Sequence, residues 1–427
     1  MGKFLCSIIT KPRLQEFSIS ELISLSSLYN IPTQDLFSHY NFSFSTDQEY
    51  TDYFLKAIEH NPFIYTNIPS SDICKKIASR SICTERFTYH ISHGDSIETL
   101  ISNTINEYNS NLEIKDIISA DTPFEFRFDT YLQKISQEQK QAIIQAFAPV
   151  PFRGKVELKS PERTFIVSIC AGNMYFGLEV ARSKIKRTCF YSKYNLAERE
   201  YLGPTTTDIE LALLMVNQGQ VVENSLVLDP FVGTGGILLA ASVFGGVCYG
   251  GDIDMRVLKG LGVGRSTKNT QADIFTNFSN YGFKKPEILR CDNSTPCLRP
   301  INFFDCLICD PPYGVRAASR KTHKNTTEVY EGTKVFYDLL DFAAGMLRIG
   351  GRLVYLLPTE RKLYDPLGLP KHPLLKIVAN SENVLSRKIS RRLITMERVG
   401  NAEGCDDENQ KGFYQDIRTT WFRKEMR

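Results

Sequence analysis

The run Leu226-Val227-Leu228-Asp229-Pro230-Phe231-Val232-Gly233-Thr234-Gly235-Gly236 reads as a short apolar strand that ends on an acid and turns through a glycine loop into a helix. Strand, glycine turn and helix in that order open a βαβ unit, and the alternation continues downstream. Val247 to Gly250, Glu287 to Arg290, Asp305 to Cys309 and Arg352 to Leu357 read as strands. Gly236 to Val243, Arg256 to Leu261 and Val335 to Leu347 read as helices. The strand runs are continuously apolar, as expected where helices cover both faces of a parallel sheet. The prediction is an α/β, doubly wound, Rossmann-like domain, whose ligands lie beyond the carboxyl ends of the strands.

Candidate residues follow from that position. Gly233, Thr234 and Gly235 let the backbone approach a ligand, and Asp229 can accept hydrogen bonds from a cationic amine. Asp252 ends the second strand, where a carboxylate can take both hydroxyls of a ribose, while Asp254 suits the cap of the next helix. Asp292 ends the third strand and can accept an adenine amino group. Three acids on three consecutive strand ends beside a glycine loop point to a nucleoside cofactor. A dinucleotide site is disfavoured because Leu238 stands where that fingerprint needs Gly or Ala, and no Gly-Lys-Ser/Thr ending marks a phosphate loop.

The chemistry enters with Asp310-Pro311-Pro312-Tyr313, directly after the apolar run Phe304 to Cys309. Each proline locks its own backbone and extends the residue before it, so the Asp310 and Pro311 carbonyls point in fixed directions. Asp310 and the Pro311 carbonyl can accept the hydrogens of a planar amine, and Tyr313 can stack on a base exposed from its own stack. With the glycine loop, this motif predicts S-adenosylmethionine-dependent methyl transfer to an exocyclic amino group of a nucleobase.

Composition sets the bounds. At 427 residues the chain has room for two or three domains. Met1-Gly2-Lys3-Phe4-Leu5-Cys6-Ser7 is too short an apolar start for a signal peptide, and Cys6 stands where myristoylation wants Ser or Thr. The apolar stretch Leu226 to Gly251 contains Asp229, Pro230 and seven glycines, which break a spanning helix. We therefore expect no membrane association and a cytoplasmic location. The eleven cysteines are odd in number and mostly set in apolar surroundings, which suits free thiols. Cys306 and Cys309 form a CxxC inside a strand, without a second ligand pair, so no metal site is expected.

Net charge is only +3, yet residues 151–200 hold ten Lys and Arg against five Glu, so the basic charge is local. Arg182, Lys184, Lys186 and Arg187, interleaved with aromatic residues, are candidate RNA-binding residues. Arg316 after the catalytic turn, and Arg391 and Arg392 later, are candidate phosphate contacts near the target. Along the chain we expect residues 1–60 to form a region of unassigned role, residues 61–195 an α+β module and residues 196–427 the catalytic domain. The helix Asp208 to Gln218 opens that last domain, with Thr207 and Glu210 at capping-box spacing and Gly219 closing it.

The segments Leu202-Gly203-Pro204-Thr205, Asp229 to Gly236, Gly251-Asp252-Ile253-Asp254, Asp310 to Arg316 and Ser390-Arg391-Arg392-Leu393-Ile394-Thr395-Met396 together resemble the catalytic subunit of the tRNA guanine-10 N2-methyltransferases. The resemblance covers nearly the whole chain. It implies a class I methyltransferase domain preceded by an α+β, THUMP-containing N-terminal region, with S-adenosylmethionine as cofactor. Thr205 and Phe231 then join Asp229, Gly233, Thr234, Gly235, Asp252, Asp292 and Asp310 as cofactor-binding residues. It also implies tRNA as substrate, N2-methylguanosine as product and a small zinc-containing activator subunit paired with an edge of the methyltransferase sheet. A rival reading is an amino methyltransferase of ribosomal RNA or DNA, which would keep the same catalytic residues.

Overall fold

The computed structural model describes residues 3–183, 189–203, 205–261, 265–266, 271–292, 298–312, 320–323, 326–329 and 332–400. The chain divides into two compact units, Met1–Cys189 and Phe190–Arg427.

In the first unit Lys3–Ile8 (β1), Phe63–Asn67 (β2), Thr84–Gly94 (β3), Phe124–Tyr131 (β4), Arg163–Cys170 (β5) and Asn173–Arg182 (β6) form one sheet. Its order is β2-β1-β3-β6-β5-β4, antiparallel except for β4 beside β5. The stretch 1–60, set apart in the reading of the sequence, is woven into this unit: β1 is hydrogen-bonded to β2 on one side and β3 on the other. The helices Ser18–Ser27 and Asp47–Ile58 bury Ile19, Leu22, Tyr50 and Phe54 in the core that also holds Phe4, Cys6 and Phe87. Thr46 and Glu49 close a capping box at the start of the second helix. Glu21 is fully buried, and its carboxylate accepts the N–H groups of Ile82 and Cys83, each at 2.9 Å, and the Ser81 hydroxyl at 2.7 Å. A buried carboxylate needs such partners to offset its lost hydration. Here they pin the first helix to the entry of β3.

The second unit contains, in chain order, β7 (Tyr201–Leu202), β8 (Leu226–Asp229), β9 (Val247–Asp252), β10 (Arg265–Ser266), β11 (Glu287–Arg290), β12 (Phe304–Cys309), β13 (Arg320–His323), β14 (Thr326–Val329), β15 (Leu347–Glu360), β16 (Leu375–Val384) and β17 (Ile389–Arg398). Strands β7 and β10 pair as a short ribbon, and β13 and β14 as a hairpin. The main sheet runs β11-β9-β8-β12-β15-β17-β16. Its first five strands are parallel, with the order reversing at β8, as the doubly wound expectation requires. The sequence reading ends the sheet at the run Arg352 to Leu357. The structure adds β17 antiparallel to β15, and β16 antiparallel to β17, so the sheet is mixed.

Local chemistry sets the helices around this sheet. The helix Ile209–Gln218 is capped by Asp208, whose side chain accepts the Leu211 N–H at 3.1 Å, so the cap lies one residue beyond the expected Thr207. Gly219 ends this helix with ordinary negative φ, and its value is space: a Cβ there would clash with the Cys306 sulfur. Leu228, Leu307, Cys309, Leu353, Tyr355 and Ile394 share the core with Phe336, Leu339 and Leu340 of the helix Gly332–Met346. Each of the Leu, Ile and Phe side chains contributes about 1.5–3 kcal/mol on burial.

Candidate active site

The glycine loop is held from two sides. Gly233 and Gly235 adopt φ of +50° and +79°, the left-handed region that glycine enters without a Cβ penalty. The Gly233 N–H donates to Asp252 Oδ2 at 2.9 Å, and the Val232 N–H donates to the Gly251 carbonyl at 2.9 Å, so the second strand fixes the loop. On the other side the Thr234 hydroxyl lies 3.0 Å from that of Thr206, which accepts the Gly203 N–H at 2.8 Å. Thr205 is exposed next to it in sequence. Thr206, the neighbour of the candidate Thr205, is the threonine that hydrogen-bonds to the loop.

Three acids gather at neighbouring strand tips. Asp229 ends β8 level with Gly250 of β9, and its Oδ1 accepts the Phe231 N–H at 2.9 Å. Phe231 is itself half-buried and packs its ring toward the core. Burial pushes Asp229 well above the usual carboxylate range, and the charges of Asp252 and Asp310 add to the effect of burial, which the Phe231 N–H only partly offsets. Asp252 is raised by burial too, against the N–H donors Asp254 and Gly233. Its Oδ1 accepts the Asp254 N–H at 2.9 Å, and Asp254 in turn caps the helix Met255–Leu258 through the Arg256 N–H, as expected from the sequence. Asp292 follows Cys291, whose N–H donates to the Asp252 carbonyl at 3.0 Å, and lies half-buried just past β11.

Asp310 follows β12, whose register sets Cys306 beside Val227 and Leu307 beside Leu228 of β8. It therefore stands at the same end of the sheet as Asp229, with which it interacts electrostatically. Pro311 is buried and Pro312 half-buried; Tyr313 lies outside the described residues. Asp310 Oδ2 meets Arg391 Nη1 at 3.3 Å, with the two side chains only 17% and 15% exposed. A set of sheltered carboxylates around a glycine turn fits a ligand that brings positive charge and hydrogen-bond donors, because such a ligand relieves their mutual repulsion.

The basic candidates separate. Arg182 ends β6 and pairs with Glu85 at 3.7 Å. Lys184, Lys186, Arg187 and Arg316 lie outside the described residues. Arg392 turns away from Arg391, as successive strand residues do. Its Nε donates to Asn380 Oδ1 at 2.8 Å and its guanidinium covers the Tyr364 ring at 4.5 Å. Cys306 and Cys309 are buried free thiols, and burial pushes both up.

Residues 49–171 match the Tmrp11 THUMP N-terminal domain family, and residues 197–371 match the RMKL-like, methyltransferase domain family. The chain is 33% identical to tRNA (guanine(10)-N(2))-methyltransferase TRMT11 of Pongo abelii, across 92% of this chain and 87% of that protein. It is 35% identical to the protein of the same name from Homo sapiens, across 81% of each. For the one from Dictyostelium discoideum identity is 32%, across 93% of this chain and 82% of that protein. Among solved structures, TrmN from Thermus thermophilus aligns over 93% of this chain and all of its own (100%), at 16% identity and a TM-score of 0.40.

Proposed function

The chain belongs to the tRNA (guanine(10)-N(2))-methyltransferase TRMT11 family, and from that premise we propose how its strand tips perform the reaction. It is a tRNA guanine-N2 methyltransferase, which methylates the exocyclic amine of a guanosine in tRNA. The methyl donor is S-adenosylmethionine, held by Asp229, Phe231, Gly233, Thr234, Gly235, Asp252 and Asp292, with Thr205 from the connector and Asp310 at the reacting end. When bound, it supplies a methyl carbon on a positively charged sulfur that keeps the electron pair of the broken bond. Asp229 would take the methionine amine and Asp252 the ribose hydroxyls.

The guanine N2 lone pair is delocalised into the ring, so the protein's task is alignment. Asp310 and the Pro311 carbonyl hold the amine hydrogens, and Pro312 and Tyr313 frame the base. As the nitrogen gains its methyl group it must lose a proton, and the Asp310 carboxylate takes it. Orientation of this kind can supply about 7–11 kcal/mol of the barrier. The observation that carries this reading is the position of Asp310, one strand over from Asp229 at the same sheet end. Asp310→Ala is expected to leave S-adenosylmethionine affinity within about threefold while single-turnover methylation of tRNA falls about 10²–10³-fold, the range seen when one aligned group is removed. Unchanged single-turnover methylation would remove Asp310 from the mechanism.

The residues before the catalytic domain recruit tRNA, with Arg182, Lys184, Lys186 and Arg187 as phosphate contacts in this proposal and Arg316 near the target; Arg391, paired with Asp310, and Arg392, held by Asn380 and Tyr364, are not counted among them. A small zinc-containing activator subunit pairs with an edge of the main sheet. Strand β11 is such an edge, and its half-exposed Leu289 supports a partner there. No helix among the described residues is long and apolar enough to cross a membrane, and a cytoplasmic site of action completes the proposal.

A further inference from the structure

We propose that Arg391 is a positioning residue for the methyl transfer: it holds the Asp310 carboxylate at the strand tip and keeps it ionised beside two other acids. This deepens the catalytic reading of Asp310 above and rests on it. The sheet register supplies the first argument. Cys309 lies beside Tyr355 of β15, and Arg391 of β17 lies opposite Pro358, three residues farther along the same strand. The guanidinium therefore starts above the level of Cys309 and reaches across β15 to the residue that follows β12.

The second argument is charge. Among the described residues, the titratable and charged groups facing Asp310 include Asp229 at the tip of β8, with Asp252 of β9 behind it, the Cys309 thiol on its own strand, and Arg391. Arg316, six residues after Asp310, lies outside the described residues. Acids set close together disfavour one another's ionisation, and a guanidinium at 3.3 Å opposes that effect. Both side chains are more than four-fifths shielded, so solvent screens the pair far less than a surface pair. Only an ionised Asp310 can accept both an amine hydrogen and, later, the proton. The third argument is direction. Arg392, the neighbour of Arg391, is spent on Asn380 and Tyr364 on the opposite side of the strand, so the two arginines do not form one phosphate clamp.

The sign follows from linkage. Arg391 lowers the Asp310 pKa, so activity is present above that pKa and lost as pH falls through it. Removing the guanidinium moves the loss to higher pH. The test uses the full chain co-expressed with its activator subunit, with tRNA saturating and kcat followed from pH 5.5 to 9.5. Arg391→Gln is expected to lower kcat at pH 7 about 10–100-fold and to move the acidic limb up by about one to three pH units. KM for tRNA should stay within about threefold, and much of the rate should return above pH 9. Arg391→Lys, which keeps the charge, should restore the limb to within about half a pH unit of the parent.

A parent-like kcat and limb in Arg391→Gln overturns the inference. So does a loss confined to KM with a shallower salt dependence of tRNA binding, the signature of a phosphate contact. Thermal unfolding of each variant separates a folding defect from a rate defect, and Arg391→Lys keeps the question open to measurement if Arg391→Gln unfolds. Retained turnover in Asp310→Ala would instead defeat the catalytic reading, so the two failures are distinguishable.

Discussion

The carboxylate of Asp252, at the end of the second strand of the parallel sheet, accepts the backbone N–H of Gly233 at 2.9 Å. One acid thus shapes the loop that precedes it by nineteen residues with Oδ2, while its Oδ1 accepts the Asp254 N–H at 2.9 Å. Asp252→Asn would keep an acceptor for Gly233 but lose a charge-assisted bond. S-adenosylmethionine affinity, measured by calorimetry, should fall about 10–100-fold, as expected when about 1.5–3 kcal/mol of charged hydrogen bonding is removed. An unchanged affinity would separate Asp252 from the cofactor.

Asp229 sets function against stability. Its folded pKa is raised, so its favourable contribution to folding is complete below the unfolded value and is lost as pH rises through the folded one. At pH 7.5, without ligand, Asp229→Asn should therefore raise Tm, by about 2–4 °C for each kcal/mol regained in a domain of this size. The gain should shrink toward pH 4. The same variant should bind S-adenosylmethionine more weakly, and a lower Tm at pH 7.5 would contradict the electrostatic argument.

The two left-handed glycines should respond differently to alanine. At Gly235 a Cβ would sit 3.0 Å from Ile274 and 3.2 Å from Phe278, whereas at Gly233 its nearest neighbour is 3.9 Å away. Gly233→Ala carries the conformational penalty alone, about 1–2 kcal/mol. Gly235→Ala adds overpacking of about 1–3 kcal/mol. Urea unfolding should rank the losses in that order.

Glu21 tests whether the opening segment is part of the first unit. Glu21→Ala leaves the buried N–H groups of Ile82 and Cys83 without their carboxylate, and each loss costs about 1–3 kcal/mol. A destabilisation near 3 kcal/mol in the transition of that unit is expected by chemical denaturation. A change below about 0.5 kcal/mol, ordinary for a surface position, would mean the segment is dispensable.

The parallel part of the catalytic unit was legible because its signals are local: an apolar run, an acid and a glycine turn follow one another within eleven residues from Leu226 to Gly236. Asp254 could be read as a cap for the same reason. What escaped depends on partners remote in sequence. Arg391 and Asp310 are 81 residues apart, and they meet only because an antiparallel strand is laid beside β15. Strand β16 alternates too little to announce itself, with Asn380, Ser381 and Glu382 amid its apolar residues. In the opening segment, nothing in Lys3 to Ile8 says that its neighbours are Phe63 to Asn67 and Thr84 to Tyr89.

That last arrangement has a consequence during synthesis. Strand β1 is flanked on both edges, by β2 and by β3, so the backbone donors and acceptors that face β3 lack their strand partners until translation has passed Tyr89. A nascent chain carrying an apolar ribbon for some ninety codons is a natural client for chaperones at the ribosome. The first unit should accordingly be the part whose yield responds most to translation speed.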